Sequence, residues 1–150
     1  MYSGDTTRDR DAKTITLEED GRLTGVDVTI PASKLHSVSG AVLDARTGQP
    51  LNAGQVSLAY SDDGSTAAST NIDAATSAFL FNFVADGQYK LKTRDAREVR
   101  YDPVSLDLYG MPEDRKSTTL RSYGAGEMPL VILGDINGVN LPVSAVAPRP

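Results

Sequence analysis

The only histidine in the chain, His36, stands directly before Ser37, which makes this pair the one neighbouring base and hydroxyl nucleophile. Nucleophilic catalysis needs the imidazole within about 3 Å of the hydroxyl and a third group to orient it. Adjacent residues on an extended strand point to opposite faces, so the pair reads as a solvated histidine at a strand start. Two carboxylate pairs, Asp62-Asp63 and Glu18-Glu19, have the residue types of glycoside hydrolysis. Glycosidase carboxylates face each other across a cleft, whereas neighbours in a turn share solvent and repel. Asp135-Ile136-Asn137-Gly138-Val139-Asn140 begins like a calcium loop. Its glycine is fourth rather than sixth, and Val146 stands where the twelfth-position glutamate would be. Asp62, Asp63 and Asp73 form a second acidic set that only the fold could bring together. All read as ordinary turns, which Asp and Asn favour; calcium in a loop is left open.

Composition narrows the chemistry further. The 150 residues contain no Cys and one His, which excludes thiol catalysis, iron–sulfur clusters, Cys/His zinc sites and multi-histidine centres. No catalytic, cofactor or metal residues are assigned, and the chain is expected not to be an enzyme. A net charge of −5 argues against nucleic acid as a partner. The longest apolar run is Leu130–Leu133 and the first residues lack an apolar signal core, so neither membrane insertion nor a signal peptide is expected within this sequence. Lys90, Lys92, Arg94, Arg97 and Arg100 form the one basic stripe; Asp95 and Glu98 interrupt it, as on a solvated face or a guarded sheet edge. Sugar rings stack on exposed Trp or Tyr. There is no Trp, and of the six Tyr phase puts Tyr60 and Tyr89 inside and Tyr2 lies in the lead-in, leaving Tyr101, Tyr109 and Tyr123 of the ordered region as the candidate ligand-binding residues.

The elements that position these residues are short strands. Ile15 and Leu17, then Val26, Val28 and Ile30, alternate with polar residues and suggest a hairpin. Val38–Leu43, Val56–Tyr60, Phe79–Phe83 and Tyr89–Thr93 follow with turn residues between them. The three Phe at spacing two mark a central core strand, and Asp86-Gly87 joins it to Tyr89–Thr93 as the best hairpin. Val104, Leu106 and Leu108 alternate, Pro112–Thr119 is a polar loop, and Met128–Leu133 and Val139–Val143 close the pattern. Ser65–Ala78 is ambiguous. At least seven strands without a helical period argue for an all-β, antiparallel β-sandwich of about seven strands with flanking linker strands.

Gly21–Ile30 aligns without gaps on Gly134–Val143, with Ile15 and Leu17 opposite Met128 and Leu130. An offset of one domain length suggests a tandem array. The expected division is a disordered or borrowed lead-in at 1–11, a linker hairpin at 12–32, a sandwich at 33–126, and the start of a following repeat or a C-terminal hairpin at 127–150.

The stretch Val38-Ser39-Gly40-Ala41-Val42-Leu43-Asp44-Ala45-Arg46-Thr47-Gly48-Gln49-Pro50-Leu51, continuing to Val56-Ser57-Leu58, resembles the opening of carboxypeptidase regulatory-like domains. That family is a transthyretin-like, or prealbumin-like, β-sandwich found in multi-domain bacterial proteins. Ala78-Phe79-Leu80-Phe81 and Asp86-Gly87-Gln88-Tyr89-Lys90-Leu91 stand where the family has its D-x-x-G-x-F-x-F and P-G-x-Y-x-L stretches. Ala78 replaces the usual Gly, and Ala85-Asp86 the usual Pro pair. The matching residues are structural: Gly48 supplies a positive φ in a tight turn, Gly87 is expected to do the same, and Gly40 suits a bulge or close packing under a large side chain. The resemblance implies a non-catalytic module, extracellular or in the cell envelope, whose partners are neighbouring domains of the same polypeptide. A carbohydrate-binding module using the exposed tyrosines, with a polysaccharide partner, is the alternative.

Overall fold

The computed structural model describes residues 8–17, 19, 21–22, 24–25, 29, 32–112, 114 and 116–147. Its strands are β1 (Leu35–Asp44), β2 (Ala53–Tyr60), β3 (Thr66–Asn71), β4 (Phe79–Ala85), β5 (Gly87–Tyr101), β6 (Ser117–Ser122), β7 (Glu127–Ile132) and β8 (Ile136–Val143). They form a three-stranded sheet in the order β4-β1-β8, and a five-stranded sheet in which β3-β2-β5-β6 run in sequence with β7 also on β5. The all-β sandwich is as expected. One pair departs from the antiparallel rule: β8 lies parallel to β1.

The core lies between the sheets and follows the period-two alternation of β1, β2, β5 and β8. Val38 and Val42, Val56 and Leu58, Tyr89 and Leu91, and Val139, Leu141 and Val143 face inward. Gly40 is required by this packing. A Cβ there would fall on the Val139 carbonyl oxygen and within 2.9 Å of Phe79 Cζ, as its place under a large side chain predicted.

Several expectations about the elements need correction. Phe79–Phe83 and Tyr89–Thr93 are not a hairpin: β4 belongs to the three-stranded sheet and β5 to the other, so Asp86 is a corner between layers. Gly87 there has no positive φ; it lies under the Tyr89 ring, where a Cβ would come within 3.1 Å of Tyr89 Cε2. Across this corner the Tyr89 hydroxyl donates back to the Ala85 carbonyl at 2.9 Å. Nor is β4 central, since β1 is. Phe79 and Phe81 are buried, but Phe83 is 81% exposed, with φ +60°. The register of β4 against β1 gains a residue between Val84 and Phe81, and this bulge turns Phe83 outward while Val84 takes the core position.

The apolar alternation at Val104, Leu106 and Leu108 makes no strand; these residues are exposed in a loop. β6, by contrast, falls where a polar loop was expected. Its Ser-Thr-Thr-Leu-Arg-Ser sequence is exposed along its whole length, so it has no apolar alternation to betray it. Residues 12–17 form no strand, with Ile15 and Leu17 exposed, and Val26, Val28 and Ile30 of the expected hairpin lie outside the described residues. At the C-terminal end, β7 and β8 do not pair with each other. Each completes a different sheet, so the sandwich runs to Val143 rather than stopping at 126.

Candidate functional site

His36 sits at the start of β1, beside the layer-crossing corner and the β7–β8 turn. Its Nε2 is 2.6 Å from Asp86 Oδ1 and its Nδ1 is 4.0 Å from Asp135 Oδ1. The side chain is 13% exposed, so it is held between two carboxylates rather than solvated as expected. Ser37 meets the second of these carboxylates: its backbone N–H donates to Asp135 Oδ1 at 2.8 Å, and this bond, together with one from the Ser37 side chain, holds that carboxyl below the usual range. Ser39 donates its hydroxyl proton to Asn137 Oδ1 at 2.9 Å. The residues of the calcium-like stretch are thereby engaged in tying the β7–β8 turn to β1.

Asp73 and Asp107 act as turn caps. Asp73 Oδ1 accepts the N–H groups of Ala75 and Thr76, which lowers its pKa. Asp107 Oδ1 accepts those of Tyr109 and Met111. Asp62 and Asp63 lie in the turn before β3 and Asp73 in the turn after it, so the three do not converge. Among the described residues no group of three His, Asp or Glu could hold a metal ion.

Asp62 and Asp63 do not simply share solvent. The Arg8 guanidinium bonds Asp62 Oδ2 at 2.8 Å and Asp63 Oδ2 at 2.5 Å; Arg10 bonds Asp62 and reaches Asp63 Oδ2 at 3.0 Å. Arg8 holds the Asp62 carboxyl far below the usual carboxylate range, with Arg10 adding to the effect. Of the lead-in at 1–11, expected to be disordered or borrowed, residues 8–11 are therefore docked, and residues 1–7 lie outside the described residues. Two arginines at i and i+2, with an acidic pair over fifty residues on, were the only sequence signal.

The three candidate tyrosines are not brought together. Tyr123 is 6% exposed, and its hydroxyl donates to Asp44 Oδ2 at 3.1 Å; it is a core residue and not a stacking platform. Tyr101 is half-buried at the end of β5, beside Asn52 and Arg97 in a shallow depression of about 420 Å³. Tyr109 is 89% exposed at the apex of a turn closed by the Leu106–Pro112 bridge, between Leu108, 100% exposed, and Gly110 with φ +74°.

The basic stripe lies on the outer face of β5. This strand is flanked by β2 on one side and by β6 and β7 on the other, so it is no edge. Lys90 and Lys92 Nζ approach the Glu127 carboxylate of β7 at 3.4 and 3.5 Å.

Two surface features leave no mark on the sequence. A cleft of about 1260 Å³ lies between β6 and residues 144–147, with Arg46 and Arg121 at its wall. A groove of about 620 Å³ runs between Leu35, Tyr60, Ala68 and the outward-turned Phe83.

Fold and site together define a class, an all-β sandwich of a three- and a five-stranded sheet whose carboxylates cap turns and latch strands. No family model matches the chain, and no curated protein matches it. Among solved structures it is similar to a 9R-lipoxygenase from Cyanothece PCC8801, at 14% identity and a TM-score of 0.39. That match covers 81% of this chain and 19% of the lipoxygenase chain.

Proposed function

We propose that this chain is a non-catalytic structural module that spaces or presents neighbouring domains of one polypeptide in an exported, multi-domain bacterial protein, outside the cell or in its envelope. The reading is supported above all by where the chemistry-bearing side chains go. Asp44, Asp62, Asp63, Asp73, Asp107 and Asp135 each accept hydrogen bonds that close a turn or join two elements. Groups spent in this way hold turns and join elements on a continuous core, which is what a spacer needs. The resemblance of Val38–Leu58 to carboxypeptidase regulatory-like domains points the same way. In that reading the echo between Gly21–Ile30 and Gly134–Val143 reflects tandem modules.

A second reading, a carbohydrate-binding module, is favoured by one observation, the exposed Tyr109 ring on its preordered turn. A screen of the 150-residue chain against glycans and soluble polysaccharides, with Tyr109→Ala beside it, separates the two. The spacer predicts no saturable binding. Saturable binding lost in the variant would replace it with the carbohydrate reading.

A further inference from the structure

We infer that the β2–β3 turn is a recognition site for an arginine pair, filled within the chain by Arg8 and Arg10, so that it clips the segment preceding the sandwich onto one end of it. The site has more parts than an acidic cluster. Asp62 and Asp63 each receive both guanidinium groups, and the Arg8 Cζ lies 3.9 Å from the centroid of the Tyr60 ring. Tyr60 in turn packs on Tyr89, with ring centroids 5.3 Å apart. A guanidinium suits such a site because its planar fork can pair with two carboxylates while its face stacks on an aromatic ring; an ammonium cannot do both. The Arg8 side chain is only 16% exposed.

The receiving turn is built independently of the arginines. Asp62 Oδ1 accepts the Asp63 N–H, Asp63 Oδ1 accepts the Ser65 N–H and hydroxyl, and Gly64 supplies φ +74°. Each carboxylate thus spends one oxygen on the turn and offers Oδ2 outward. The clip also has a definite place in the fold. Asp86 N–H donates to the Lys34 carbonyl just before β1, and Arg8, Asp62 and Asp86 line one depression. The chain therefore touches the same end of the sandwich at residue 8 and again at residue 34. That this clip fixes the angle of a preceding domain rests on the spacer reading; the clip itself rests on the geometry alone.

The absence of cysteine allows a clean test on the full chain. A nitroxide on Ala12→Cys, two residues from Arg10, should broaden the amide signals of Ser61–Ser65 by roughly twofold or more at low ionic strength, and much less at about 0.5 M salt, where charge interactions are screened. Asp62→Asn with Asp63→Asn keeps the oxygens that cap the turn and removes the charge, so the signals should regain their intensity with the Gly64 and Ser65 shifts unchanged. Arg8→Ala with Arg10→Ala should do the same without touching the turn, and Arg8→Lys with Arg10→Lys should recover less than half of the broadening. Broadening absent in the parent, or surviving in the Arg-to-Ala variant, would overturn the clip. Neither result bears on glycan binding, so the spacer reading fails or stands separately.

Discussion

The Tyr123 hydroxyl donates to the buried Asp44 carboxylate across 79 residues of sequence, joining the end of β1 to the segment just beyond β6. Arg121 Nη1 reaches the same Oδ2 at 3.3 Å, while Oδ1 accepts the Arg46 N–H at 2.8 Å. One carboxylate thereby closes the Asp44–Pro50 turn and latches the two sheets at one end. The backbone donor of Arg46, with Tyr123 and Thr47, holds its pKa below the usual value against the effect of burial. Tyr123→Phe keeps the ring and removes the donor. It should lower stability by about 1–2 kcal/mol in a denaturant titration, with an unchanged slope, because the bond is to a charged acceptor. No loss would mean that the latch is idle.

Acid should unfold the protein through its caps. Asp44, Asp62, Asp63, Asp73 and Asp135 all have pKa values lowered from 3.8, by backbone or hydroxyl donors or, for Asp62, by Arg8. A depressed folded pKa stabilises above the unfolded value and is lost as pH falls through the folded one. The melting temperature is therefore expected to be flat above about pH 5 and to fall below pH 4. A flat profile down to pH 2 would contradict the role of these carboxylates.

At the alkaline end the sign reverses. Burial pushes the Tyr89 hydroxyl up to about 12 from 10.0. A raised folded pKa stabilises below the unfolded value, and this contribution is lost as pH rises through 10 towards 12. Burial also raises the Tyr123 hydroxyl, so absorbance at about 295 nm should show these two tyrosines ionising late and together with unfolding, and Tyr89→Phe should diminish that late step.

Phe83 is exposed and held at φ +60°, where a bulky side chain is strained. Phe83→Gly should raise stability by about 1 kcal/mol, since it relieves that strain and gives up little burial. A loss of stability would show that the ring packs on the neighbouring groove after all.

Gly40 has no such freedom. Gly40→Ala places a methyl on the Val139 carbonyl and should cost about 3 kcal/mol or more, or prevent folding, as seen by the loss of dispersed amide signals. A folded variant of parental stability would mean that β8 can shift away from β1 without penalty.

How far each feature could be read depended on where its cause lay. The alternation in Val38–Leu43, Val56–Tyr60 and Val139–Val143 placed β1, β2 and β8, because one-sided burial imposes a period of two on any strand regardless of its partner. Thr47-Gly48-Gln49-Pro50 marked its turn because only glycine takes φ +72° there without strain. The absence of Cys and the single His excluded whole chemistries before any fold was known.

Partnership was invisible. Asp86-Gly87 looks the same joining two strands of a hairpin or two layers of a sandwich, and only the tertiary structure put β4 and β5 in different sheets. Phe83 and Leu108 fit an alternating pattern, yet a bulge turned the first outward and a capped loop exposed the second. β6 has no apolar face to announce it; backbone pairing with β5 holds it in place. Asp44 with Tyr123, and Arg8 and Arg10 with Asp62 and Asp63, are meetings of residues far apart in the chain. Local propensity fixes what each segment can become, but the choice of neighbour is made by burying all of the inward faces at once.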